Sequence, residues 1–307
     1  MTTRDDLARS GRLRRPDPLL PHRADFVITI ACEDVMGIVH AVSGFLFEHD
    51  CNIVDSAQFD DPSSQRFFMR VAFVRSGPRA PATVAELRAA FQPISDRYGM
   101  ASTLRDLKVK QRLLIMVSRH GHCLNDLLFR YSSGELPVEI AAVVSNHRDF
   151  EPLAAIYDIP FHHVPVTGAT RAAAERRLLD LVASEQVDLV VLARYMQILS
   201  PETCAALSGR AINIHHSFLP SFKGANPYAQ AHARGVKLIG ATAHYVTDEL
   251  DEGPIIEQDV ARVDHASSVA DFVAIGRDVE CMVLARAVKF HVAQRVLPNG
   301  PRTIVFR

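Results

Sequence analysis

Residues 112–118 (RLLIMVS), 138–145 (VEIAAVVS) and 187–193 (VDLVVLA) are almost wholly apolar and rich in β-branched side chains. A strand with one wet face alternates polar with apolar residues, so runs of this kind require a sheet covered on both faces. Helical patterns lie between them, through 125–131 and through an alanine-, leucine- and arginine-rich stretch at 172–185. Strands alternating with helices predict a doubly wound α/β unit. Residues 161–166 and 211–214 add short strands, 237–246 and 254–260 are expected to pair, and 268–293 read as a long last helix.

The chain before residue 110 has a different rhythm. Residues 25–32 (DFVITIAC) suit a buried strand, and Ile38, Val42, Phe45 and Leu46 then recur at helical spacing. Strands at 51–60 and 66–75, a helix at 81–98 and a strand at 102–109 complete a βαββαβ, ferredoxin-like order. The charged stretch RDLKVKQR at 105–112 marks the change of pattern. We therefore expect an arm at 1–24, a first domain at 25–108 and a second at 109–307, a division that the length of 307 residues favours.

Composition removes several classes of function. With 34 basic and 35 acidic residues the net charge is -1, which supplies no general field for nucleic acid or an anionic membrane. Cys32, Cys51, Cys123, Cys204 and Cys281 are scattered, without the close pairs of a zinc site or the density of a disulfide framework. The arginine- and proline-rich start lacks the apolar run of about 7–15 residues in a signal peptide, and no stretch approaches the roughly 20 apolar residues of a membrane span. A cytoplasmic location is expected.

The densest polar constellation is NIHHSFLP at 213–220, followed by Ser221, Phe222, Lys223 and Gly224. It follows a short apolar strand, and ligands of open α/β sheets bind beyond the carboxyl ends of strands. Strand alternation turns Asn213 and His215 to one side and Ile214 to the other, so an amide and an imidazole face one reacting atom. That pair suits carbonyl chemistry: an amide donor for a developing oxyanion and an imidazole that titrates near neutrality. A second cluster, TDELDEGP at 247–254, holds Asp248, Glu249, Asp251 and Glu252. Its composition fits a general base and equally a solvated acidic turn closed by Gly253 and Pro254. The carboxylates lack a diagnostic metal-ligand spacing, and no metal is required.

Asn213-Ile214-His215, Ser217, Leu219-Pro220, Gly224 and Asp251-Glu252-Gly253-Pro254 resemble the signature of folate-dependent formyltransferases, as does LARYMQILSP at 192–201. The resemblance spans most of 111–300 and implies a formyltransferase-like Rossmann domain. It further implies Asn213, His215 and Asp251 as catalytic residues, with Tyr195, Met196, Ile198, Leu199, Val246, Thr247 and Asp248 around the pterin. Within that family, HCLNDLL at 122–128, HHSFLP and LDEGPIIEQ are similar to the deformylase branch. The segment SRHGHCLND at 118–126 has one glycine where a phosphate-cradling loop would need several.

Water then replaces a larger acceptor, and the implied reaction is hydrolysis of 10-formyltetrahydrofolate to tetrahydrofolate and formate, without a cofactor, feeding purine synthesis and balancing one-carbon pools. Asp251 would position or deprotonate the water, while His215 or water would protonate N10. His216 adds a donor or simply packs. The other readings are transfer to a small amine acceptor, and a non-catalytic folate or amino-acid sensor. Residues 31–55 make the first domain resemble an ACT domain, which implies an amino-acid effector at a loop with Gly37 and Asn52, and a homo-oligomer.

Overall fold

The computed structural model describes residues 24–220 and 227–307, so all but Ala24 of the expected arm, and Ser221 to Gly224 of the motif, lie outside the described residues. In the first domain β1 (Phe26–Glu33), α1 (Ile38–Glu48), β2 (Cys51–Asp61), β3 (Arg66–Arg75), α2 (Val84–Arg97) and β4 (Ala101–Asp106) follow the expected order. The strands form an antiparallel sheet in the order β2-β3-β1-β4. Helix α2 starts later than expected because Thr83 caps it, its hydroxyl accepting from the Glu86 amide while Glu86 reaches back.

Both faces of β3 are buried. Phe67, Met69, Val71 and Phe73 join the core under α1 and α2. Phe68 on the opposite face meets Leu297 and Phe306 of the second domain. A bulge between Ile53 and Asp55 pairs Ile53 with Phe73 but Asp55 with Ala72. The extra residue turns the Asp55 carboxylate to the face that carries Arg70.

The second domain runs β5 (Arg112–Val117), α3 (His122–Ser133), β6 (Glu139–Ser145), α4 (Glu151–Ile156), β7 (Phe161–His163), α5 (Arg171–Ser184) and β8 (Leu189–Leu192). It continues through α6 (Pro201–Ala206), β9 (Ala211–His215), α7 (Pro227–Ala233), β10 (Leu238–Tyr245), β11 (Ile255–Arg262) and α8 (Val269–Val292), and ends in a hairpin of β12 (Val296–Asn299) and β13 (Arg302–Val305). Its sheet has the order β11-β10-β9-β8-β5-β6-β7, parallel from β9 to β7 with β10 and β11 antiparallel.

The apolar runs do cover both faces. Leu113, Ile115, Val117, Leu189 and Val191 pack into one core with α3 and α8, while Leu114, Met116, Val190 and Leu192 pack into the other with α5 and α6. Strand order reverses direction between β5 and β8, and the loops leaving those strands carry Ser118 and Arg194 side by side, the Ser118 amide donating to the Arg194 carbonyl at 3.2 Å. Such a switch point opens a crevice at the strand ends.

Candidate functional site

The site begins with alternation on β9. Ile212 and Ile214 belong to the α3/α8 core, which turns Asn213 and His215 to the opposite face. Antiparallel pairing sets Thr242 against His215 and His244 against Asn213, so β10 adds a second buried imidazole, only 3% exposed, to the same patch. The acidic loop then folds back over that patch. A Cβ at Gly253 would stand 1.7 Å from the Tyr245 carbonyl oxygen, so only glycine lets the loop lie against the end of β10. The result places Asp251 Oδ1 3.2 Å from His215 Nδ1 and 3.7 Å from His244 Nε2.

Hydrogen-bond partners fix the tautomers. His244 Nδ1 lies 2.8 Å from the Tyr245 carbonyl oxygen, which can only accept, so this nitrogen carries the proton. Its Nε2 then accepts from Asn213 Nδ2 at 3.3 Å, orienting the amide. His215 donates through Nδ1 to Asp251, while its Nε2 is buried and has no partner. Burial works to raise the Asp251 carboxyl, but its surroundings, chiefly the hydrogen bond from His215, outweigh it and hold the group well below the usual carboxylate range. His216 is pushed down to about 4 by burial, then by the charges of Arg194 and His215. The arrangement offers an amide donor, a bare imidazole nitrogen and a fixed negative charge behind the imidazole, the components of acyl hydrolysis.

A cavity of about 230 Å³ stands over these groups. Tyr195, Met196, Ile198 and Leu199 form one wall, and Val246, Thr247, Asp248 and Leu250 the other. The first wall is pinned from several sides: Ser118 Oγ accepts from the Met196 amide at 2.9 Å, Arg171 donates to the Ile198 carbonyl at 2.7 Å, and Glu175 accepts from the Ser200 amide at 3.2 Å. Met196, Ile198 and Leu250 are each more than half exposed at the rim. Burial raises the Tyr195 hydroxyl to about 12, so it remains a neutral donor.

All ten residues expected at the catalytic and folate positions line this one cavity. Gly37 and Asn52 lie in the other domain, Gly37 preceding α1 at a φ of 97° and Asn52 exposed on β2. Among the cavity residues that were not anticipated are His244 and Arg194. His244 left a trace as the single imidazole within an apolar strand, and Arg194 as a cation directly after one. Among the described residues, His122, Cys123 and Glu280 bring potential metal-ligand atoms within 4.8 Å of one another. Glu280 already accepts from His122 Nε2 at 2.7 Å and Tyr228 Oη at 2.6 Å, with Arg194 Nε at 3.3 Å. Its negative charge is thus already balanced by a neighbouring guanidinium. No helix of the described residues is long and apolar enough to cross a membrane.

Residues 111–288 match the family model described as formyl transferase, and residues 26–92 match that of the ACT domain. The chain is 51% identical over 281 residues to a formyltetrahydrofolate deformylase from Corynebacterium sp. (strain P-1), covering 92% of this chain and 98% of that protein. The crystal structure of a formyltetrahydrofolate deformylase from Burkholderia mallei superposes with a TM-score of 0.87 at 53% identity, covering 92% of this chain and 100% of the other. That of a formyltetrahydrofolate deformylase from Pseudomonas syringae gives a TM-score of 0.90 at 46% identity, covering 99% and 97%.

Proposed function

The chain belongs to the formyltetrahydrofolate deformylase family, and on that premise we propose that it hydrolyses 10-formyltetrahydrofolate to tetrahydrofolate and formate, with Asn213, His215 and Asp251 as catalytic residues. The observation that carries the assignment of residues is the bare Nε2 of His215, backed by Asp251 at its other nitrogen and standing beside the Asn213 amide.

The depressed Asp251 carboxyl is a weak base, so the orientation of His215 is its better use. His215 Nε2 takes a proton from water as the water oxygen bonds to the formyl carbon. The oxyanion that forms receives a hydrogen bond from Asn213. His215 returns the proton to N10, the C–N bond breaks, the oxyanion collapses to a carbonyl, and formic acid leaves and ionises. Asp251 stays charged throughout and stabilises the imidazolium. The steps consume water and folate alone.

In this reading Tyr195, Met196, Ile198, Leu199, Val246, Thr247 and Asp248 hold the pterin, support coming from the apolar rim and the pinned backbone of the first wall. Residues 25–108 form the regulatory and assembly domain, with an amino-acid effector at the Gly37 and Asn52 end and a homo-oligomer formed through it. Residues 109–307 form the catalytic domain. The enzyme works in the cytoplasm, and its formate supplies purine synthesis.

Formate release from 10-formyltetrahydrofolate by the purified protein, measured with and without glycinamide ribonucleotide, tests the reaction. Release independent of the amine is expected. Strict dependence on the amine would replace hydrolysis by transfer, and binding without turnover would make the chain a sensor.

A further inference from the structure

We infer that Arg194, clamped by Glu280, is the specificity-determining residue that leaves the formyl site open to water and closed to an amine acceptor. The inference deepens the deformylase reading and rests on it.

Arg194 combines two features that cost stability. Its φ of 64° is a left-handed conformation that side chains with a Cβ resist. It is also only 9% exposed; one terminal nitrogen has no partner, and Nε meets only the Glu280 carboxylate, at 3.3 Å. A glycine would fit the turn better, and a surface arginine would be solvated. Unrepaid local costs of this kind mark a functional residue.

The second domain commits three elements to holding the guanidinium. Glu280 is 1% exposed in the middle of α8, and its carboxylate lies 3.3 Å from Arg194 Nε. Tyr228 on α7 donates to it at 2.6 Å, and His122 at the start of α3 contacts it at 2.7 Å. Tyr228 reaches that far inward because Gly276, one turn before Glu280, yields its space: a Cβ there would lie 2.2 Å from the tyrosine ring. Burial acts to raise the Glu280 carboxyl, but His122, Arg194 and Tyr228 together hold it below its ordinary value. The anion is permanent, and so is the clamp.

Arg194 lines the cavity together with His215 and His216. An amine acceptor brings a substituent that needs room and, before it reacts, an ammonium charge that a buried cation repels. Water brings neither. The same cation contributes to keeping His216 neutral, so no second imidazolium stands beside His215.

Arg194→Gly suits the backbone and removes the plug, so it should fold. The wild type and this variant are given 10-formyltetrahydrofolate with glycinamide as probe amine, and the ratio of formylglycinamide to formate is measured. We expect formate alone from the wild type and a ratio at least about tenfold higher in the variant, a shift of the size that one pocket contact controls. Glu280→Gln, which frees Arg194 from its counter-charge, should move the ratio the same way and serves if Arg194→Gly does not fold. An unchanged ratio in a folded variant, judged by circular dichroism, overturns the inference. Absence of formate from the wild type would instead defeat the deformylase reading.

Discussion

Two buried arginines touch helix α8, and they are held in opposite ways. Arg70 of the first domain is fully buried, and every side-chain nitrogen has a partner. Nη1 meets Asp55 at 2.7 Å, Nε donates to the Gln294 carbonyl at 3.1 Å and Nη2 to the Ala293 carbonyl at 3.1 Å. Those carbonyls end α8, where unpaired acceptors collect and the helix dipole favours a cation. Burial first, then the neighbouring Arg295, lowers Arg70 to about 10, so it remains charged at neutral pH. Arg194 meets one carboxylate through Nε at 3.3 Å and leaves a buried terminal nitrogen without a partner, in a residue that lines the cavity. A satisfied buried charge joins domains, whereas an unsatisfied one at a cavity wall has been left ready for chemistry.

The largest expected effect tests the satisfied cluster. Asp55 is shared by Arg70 at 2.7 Å and Arg295 at 3.2 Å. Asp55→Asn removes the carboxylate that two buried cations share and should cost about 3 kcal/mol of unfolding free energy, the lower end of the scale for breaking a buried ion pair because Asp55 itself is partly exposed. Urea unfolding measures it. Turnover per folded molecule should be unchanged, because the cavity is untouched. A cost under about 1 kcal/mol, typical of an exposed pair, would show that the domains are joined by Phe68, Leu297 and Phe306 instead.

The next effect belongs to the unsatisfied side. Asp251→Asn preserves shape but removes the charge behind His215 and offers its Nδ1 an amide, which favours the wrong tautomer. Formate release should fall at least about 100-fold, the scale of lost general acid–base catalysis, while the fold and folate affinity largely survive. Near-normal turnover would take Asp251 out of the mechanism.

Much of this contrast was legible in the chain itself. Continuous apolar runs announced a sheet covered on both faces, and alternation on β9 announced that Asn213 and His215 share a side, because both are properties of neighbouring residues. Helices α4, α6 and α7 were missed, being six or seven residues long and too short to show a period. The hairpin of β12 and β13 was missed because its partner, the outer face of β3, lies more than 200 residues earlier. His244, Arg194 and Glu280 were not singled out as site residues for a related reason. Each looks like an isolated polar residue until antiparallel pairing, a left-handed turn and a distant helix bring it to the others.

The smallest effect compares two buried neutral histidines, one beside Arg194 and one near the end of α8. His216 stands beside Arg194, and His291, near the end of α8, meets the Tyr245 hydroxyl at 2.7 Å. Burial above all lowers each to about 4. An unfolded histidine takes its proton near pH 6.5, so between about 6.5 and 4 the unfolded state binds more protons and stability falls as pH drops. Each group contributes a slope of about 1.4 kcal/mol per pH unit in that window. Asp251, shifted the other way, adds stability that persists until the pH falls below about 3.9, so it leaves this window flat. Urea unfolding at pH 7, 6 and 5 should therefore give a shallower acid loss in His291→Gln and in His216→Gln than in the wild type, by one proton in each case. A slope unaltered by His291→Gln would mean that the end of α8 opens to solvent in acid before the molecule unfolds, and that the satisfied side of the comparison is the looser one.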